Sequence, residues 1–173
     1  LVVAGGDPFS FDDTAVFSWL SRMARAGVQI GGVSGGPVLL VKAGLMADRR
    51  MTVHWEHVPL LTEHFQDIII ERRLFVIDRD RVTCGGGTAP LDLMHALISS
   101  HHGGAFARLV SDWFLHTDIR SETAPQRGSV SERVGVHSPR VHEAVVLMEN
   151  HSGDPLSLTQ VAYVAGVTPR QLN

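Results

Sequence analysis

The 173-residue sequence contains one cysteine, Cys84, so no disulfide can form within the chain, and a lone thiol suits a reducing compartment. Aromatic residues make up 6%, with a single tyrosine. No apolar run is long enough to span a bilayer, which argues against a helical membrane protein. There is no internal repeat and no low-complexity tract, so a solenoid is not expected. Positive charge is not in excess. Fifteen Lys and Arg stand against eighteen Asp and Glu, a net charge of -3, and nucleic acid cannot be gripped by the surface as a whole. Any such contact must be local. No signal peptide is visible, and a cytoplasmic location is expected. The chain starts without Met, inside what reads as a buried strand, so both ends are expected to be truncated.

What is present is 44% apolar residues in short periodic runs, as in a globular α/β domain. Leu1–Ala4 reads as a strand ending at Gly5-Gly6. Asp12 or Asp13 can cap a helix carrying Val16, Phe17, Leu20, Met23 and Ala24 on one face, closed by Gly27. Val28–Val33 is a second strand, and Ser34-Gly35-Gly36-Pro37 turns it into a second helix. Thr52–Trp55 reads as extended and Val58–His64 as helical. Ile68–Ile70, Leu74–Ile77 and Arg81–Cys84 are short strands, and Ala89–His101 and Ala105–His116 are helices. Alternating strand and helix implies a parallel sheet covered on both faces. The segment 117–136 is polar and aperiodic and reads as a linker. Domain boundaries of 1–116, 117–136 and 137–173 follow.

Two places carry chemistry. At Ser34 a single polar residue sits between a strand and a helix, with small residues on both sides. This predicts a strained elbow that presents the side chain at the carboxyl edge of the sheet, where open α/β sheets bind ligands. The second place is the C-terminal stretch from Pro155. Ser157 can cap a helix with Gln160 as its capping-box partner. Leu158, Val161, Ala162 and Ala165 share a face, Gly166 stops the helix, and Thr168-Pro169 starts another. The small Ala162 permits the close helix crossing of a DNA-reading helix-turn-helix. Thr168, Arg170, Gln171 and Asn173 would then head the reading helix, where Arg suits guanine and Asn or Gln adenine.

Four motifs in order extend this reading. Val3-Ala-Gly-Gly-Asp7, the elbow at Ser34, Ala43–Trp55 and Val82–Met94 resemble the class I glutamine amidotransferase-like, PfpI-like superfamily, and the C-terminal pattern resembles AraC/XylS-type regulators. Together they are most similar to GlxA-like AraC-family regulators. The resemblance implies a flavodoxin-like parallel sheet flanked by helices, followed by an all-α helix-turn-helix segment. It implies a homodimer that binds DNA and a small-molecule effector, an amino acid or amine, near Gly6, Asp7, Ser34, Gly35, His54, Trp55 and Thr88. The helix Ala89–His101 and the stripe through Phe106 and Trp113 are the candidate dimer surfaces. Enzymes of the superfamily carry cysteine at the elbow. Serine here needs a base to ionise, so no catalytic residue is expected; a hydrolase or amidotransferase using Ser34 and His54 is the rival. No cofactor is expected. No metal is expected at His54-Trp55-Glu56-His57 either, because the HExxH and CxxC patterns are missing. Cys84 reads as a small buried apolar residue.

Overall fold

The computed structural model describes residues 1–128, 138–150 and 156–172, with backbone only at 146, 149, 150 and 172. The chain divides into two units, Leu1–Gln126 and Arg127–Asn173.

In the first unit, β1 (Val2–Ala4) leads through a loop to α1 (Thr14–Arg25). Asp13 caps α1, its carboxylate accepting from the Ala15 and Val16 N–H groups. The strand β2 (Ile30–Ser34) runs into α2 (Gly36–Lys42), which is buried from Gly36 to Val41. After β3 (Arg50–Met51) come a 3-10 turn at Trp55–His57 and α3 (Val58–His64). Then follow β4 (Ile69–Ile70), β5 (Phe75–Asp78), β6 (Arg81–Cys84), α4 (Ala89–His102) and α5 (Gly104–Trp113).

The main sheet has the order β1-β2-β6-β5, and β3 pairs with β4 in a second, two-stranded sheet. The pairs β1–β2 and β2–β6 are parallel, but β5 runs antiparallel to β6. The expected all-parallel sheet is therefore mixed. The reason is connection length: only Arg79 and Asp80 join β5 to β6, and a parallel return needs a crossover of about a dozen residues. One apolar cluster packs α1, α2 and α3 around Leu20, Val38, Leu40, Met46, Met51 and Leu61. Another joins β5, β6 and α4 through Leu74, Phe75, Val82, Cys84 and Leu93.

The stretch after α5 differs from the linker reading. Residues 117–126 belong to the first unit. The Leu74 N–H donates to the Glu122 carbonyl, and the Gln126 Nε2 donates to the Val53 and Arg73 carbonyls. Polar, aperiodic sequence here marks an irregular strap held by hydrogen bonds, which hydrophobic periodicity cannot register.

In the second unit, α6 (Pro139–Asn150), α7 (Leu158–Val164) and α8 (Pro169–Leu172) share a small core of Ala144, Val161 and Ala165, with Leu147, Leu156 and Val167 against it. The capping box at Ser157 and Gln160 is formed, Ala162 is fully buried, and Gly166 turns the chain at φ +63°. On α6, Ala144 is buried and Leu147 packs inward, while Val141 and Met148 are exposed. The linker from 129 to 136, and Asn173, lie outside the described residues.

Candidate functional site

Strand register gathers three loops at one edge of the main sheet. Ala4 pairs with Ser34, and Val33 with Cys84, so the loops after β1, β2 and β6 all leave at the carboxyl ends of the parallel strands. Ser34 has φ +59°, a left-handed conformation that costs a non-glycine residue about 1–2 kcal/mol. Packing enforces it. The Gly35 N–H donates to the Ala4 carbonyl at 2.8 Å, and a side chain on Gly36 would collide with the Val2 carbonyl. The strained elbow foreseen at Ser34 is formed.

Beside it lies a cleft of about 190 Å³ lined by His54, Trp55, Leu74, Gly85, Gly86, Gly87, Thr88, Arg120 and Gln126. Of the residues singled out in the sequence, His54, Trp55 and Thr88 meet here. Ser34 adjoins the cleft through Gly86, which has φ +90°; a β-carbon on Gly86 would stand 2.8 Å from the Ser34 Cβ and 3.1 Å from its Oγ. Gly35 lies beneath the buried Pro8. Gly6 and Asp7 are not in the lining. Asp7 is occupied within its own loop, where its carboxylate accepts from the Phe9 N–H at 3.0 Å.

Arg120 and Gln126 were not foreseen, because both sit on the strap. Asp92, one turn into α4, holds Arg120. Its Oδ2 accepts from the Arg120 Nε at 3.0 Å and Nη2 at 2.6 Å, and its Oδ1 accepts from the Arg120 N–H at 2.9 Å. His116 stands 2.9 Å from the same Oδ1. The Asp92 side chain has no exposed surface. Burial pushes its carboxyl up, but the Arg120 N–H, His116 and the guanidinium outweigh burial and hold it below the ordinary carboxylate range. The Arg120 Nη2 also donates to the Thr88 Oγ1 at 2.7 Å. Gln126 closes the other side, its Oε1 accepting from the Trp55 N–H and its Nε2 donating to the Thr52 Oγ1, each at 3.0 Å. A sequence clue to Arg120 existed only in retrospect: an acid buried in the first turn of α4 needs a cation from elsewhere.

The catalytic geometry is weak. Among the described residues the Ser34 Oγ makes no hydrogen bond, and its link to His54 is between backbones, the His54 N–H donating to the Ser34 carbonyl at 3.2 Å. His54 instead accepts from the Glu56 N–H through Nδ1 and lies against the Trp55 ring, with centroids 5.2 Å apart. Burial, then the neighbouring His54, pushes the His57 pKa down. Cys84 is fully buried, and burial raises its thiol pKa further. No group of three metal-binding side chains occurs among the described residues, and no helix there is long and apolar enough to cross a membrane.

At the head of α8, the Thr168 N–H and hydroxyl both donate to the Gln171 Oε1 at 3.0 Å. Gln171 therefore caps its own helix with the oxygen that adenine recognition would use, while Arg170 is exposed. Asn173 lies outside the described residues.

A sheet edge with a positive-φ elbow after β2 defines a class, and comparison with known proteins gives it a family. The model of the DJ-1/PfpI family matches residues 1–100, more than half of the chain, and the chain belongs to that family. It is 46% identical over 173 residues to the HTH-type transcriptional regulator GlxA of Rhizobium meliloti (strain 1021), spanning 99% of this chain and 53% of that protein. It is 39% identical over 171 residues to the HTH-type transcriptional regulator CdhR of Pseudomonas aeruginosa, spanning 99% of this chain and 51% of that protein. The crystal structure of an AraC family transcriptional regulator from Pseudomonas putida matches with a TM-score of 0.53 at 25% identity, over 59% of this chain and 56% of that one. The resemblance read from the four motifs is borne out. The chain spans about half the length of the curated relatives it matches.

Proposed function

We propose that this chain is part of a cytoplasmic DNA-binding transcription regulator. Its DJ-1/PfpI domain senses a small metabolite, an amino acid or amine, without transforming it, and its second unit begins a helix-turn-helix. The observation that carries the reading is continuity: the likeness to named regulators runs through both units, over 99% of the chain. Two features of the chain support it. Serine stands at the elbow with no base bonded to it among the described residues, so the sheet edge offers a binding cleft rather than an activated nucleophile. In the second unit a buried Ala162, a turn at Gly166 and an N-capped α8 present Arg170 to solvent.

The regulator acts as a homodimer, because paired half-sites need paired readers. The surface for it is the outer face of α5, where Phe106, Leu109 and Trp113 are exposed, Trp113 by 87%. The test is a selection of random duplexes with the full-length protein. Two related half-sites should be enriched, spaced by about one helical turn or a multiple of it. Recovery of duplexes with no common sequence would refute the proposal.

A further inference from the structure

We propose that the cleft beside Ser34 takes a small carboxylate, and that Arg120 is the residue that holds its oxygens. This rests on the sensing role proposed above and names the chemical class and the specificity-determining residue. Arg120 is the only Arg, Lys, Asp or Glu among the lining residues. The remaining lining is Leu74, the Gly85–Gly87 turn, Thr88, Gln126 and the His54–Trp55 wall, with no carboxylate among them. Asp92 offsets part of the guanidinium's charge, but it leaves donors of Arg120 open to a ligand. Its side chain is fully covered, and its two oxygens are occupied by Arg120 and His116, whereas the Arg120 side chain keeps 34% of its surface exposed.

The hydrogen bonds fix the fork. Nε and Nη2 are bound to Asp92, Nη2 also reaches Thr88, and Nη1 donates to no acceptor among the described residues. One edge of a planar guanidinium is thus anchored, and the remaining donors are held ready without loss of rotamer freedom on binding. Such an arrangement prefers an oxyanion, because charge-assisted bonds are stronger than bonds to a neutral carbonyl. Volume sets the size class. At about 190 Å³ the cleft is smaller than sites for drug-sized ligands, which run to about 300–1,000 Å³. Nucleotides and peptides are too large. A short aliphatic acid or an α-amino acid fits, its carboxylate at Arg120 and its chain toward Leu74 and Trp55.

The experiment compares acids with their amides on the full-length protein. Propionate, L-alanine and succinate are titrated by thermal shift and calorimetry at constant ionic strength, beside propionamide, L-alaninamide and succinamide. At least one acid should bind about tenfold or more tighter than its amide. The double substitution Asp92→Asn with Arg120→Gln, checked for folding by circular dichroism, removes both charges together and should abolish that preference. The acid–amide comparison uses the intact protein and stands whether or not the variant folds. If no acid binds better than its amide, or the folded variant keeps the preference, the assignment is overturned. Enrichment of duplexes in the selection above is read separately, so a failed carboxylate site leaves the regulator reading in place, and a failed selection leaves the site.

Discussion

Two residues make the elbow: Ser34, held at positive φ, and Gly36, whose missing side chain lets α2 lie against β1. Alanine at Gly36 meets the Val2 backbone, which cannot turn aside as a side-chain tip can. Gly36→Ala should therefore destabilise the protein by about 1–3 kcal/mol in urea unfolding, the range of overpacked cores. Gly5→Ala is the control, since Gly5 has open space around it and should be close to neutral. The elbow was legible in the sequence because small residues on both sides of one polar residue leave few alternatives. The cleft residues were legible only where they adjoin such punctuation. His54, Trp55 and Thr88 line the cleft as expected, but Gly6 and Asp7 do not, because the Asp7 side chain folds back onto its own loop. Gln171, expected as a base contact, also caps its own helix, a competition between local and external partners that residue type cannot decide.

At the level of elements, helices and strands follow apolar periodicity closely. Val58–His64 and Arg81–Cys84 fall where the sequence puts them, and Ala89–His102 ends one residue later. What periodicity misses is the strap over 117–126, whose order comes from individual hydrogen bonds, and the direction of β5, set by a two-residue turn. The Asp92–Arg120 pair ties the strap to α4, and its contribution depends on pH. The Asp92 carboxyl lies below its ordinary value of 3.8 in the folded protein, so the unfolded chain binds more protons in acid. The contribution is complete above that ordinary value and is lost as pH falls through the lower, folded one. Asp92→Asn should cost about 2–3 kcal/mol near neutrality, by leaving the guanidinium without its counter-charge. Urea titrations from about pH 6 down to pH 3 should show the gap between the two proteins narrowing with acid. Asp78 and Asp80 are also held low and contribute the same slope to both proteins, so they cancel from the gap. A gap constant with pH would show that the carboxylate's charge is not what holds the strap.

For the molecule as a whole, the last residue of the strap, Gln126, is both a wall of the cleft and the final residue of the first unit. A ligand that engages Arg120 therefore acts on the same ten-residue strap that leads into the second unit. In the proposed regulator this gives a covalent route from sensing to DNA reading, in which the ligand would shift a population by favouring one state of the strap over another. The proposed route needs no chemistry at Ser34.

The central claim is that the second unit reads DNA, and the exposed Arg170 at the head of α8 is its most direct probe. A mobility-shift titration of the full-length protein on the duplex enriched by selection should give a discrete complex. Arg170→Ala should weaken it by about 10- to 100-fold, the loss of one bidentate base contact, while leaving thermal stability unchanged. Equal affinity of the two proteins for that duplex, or no complex with either, would contradict the account.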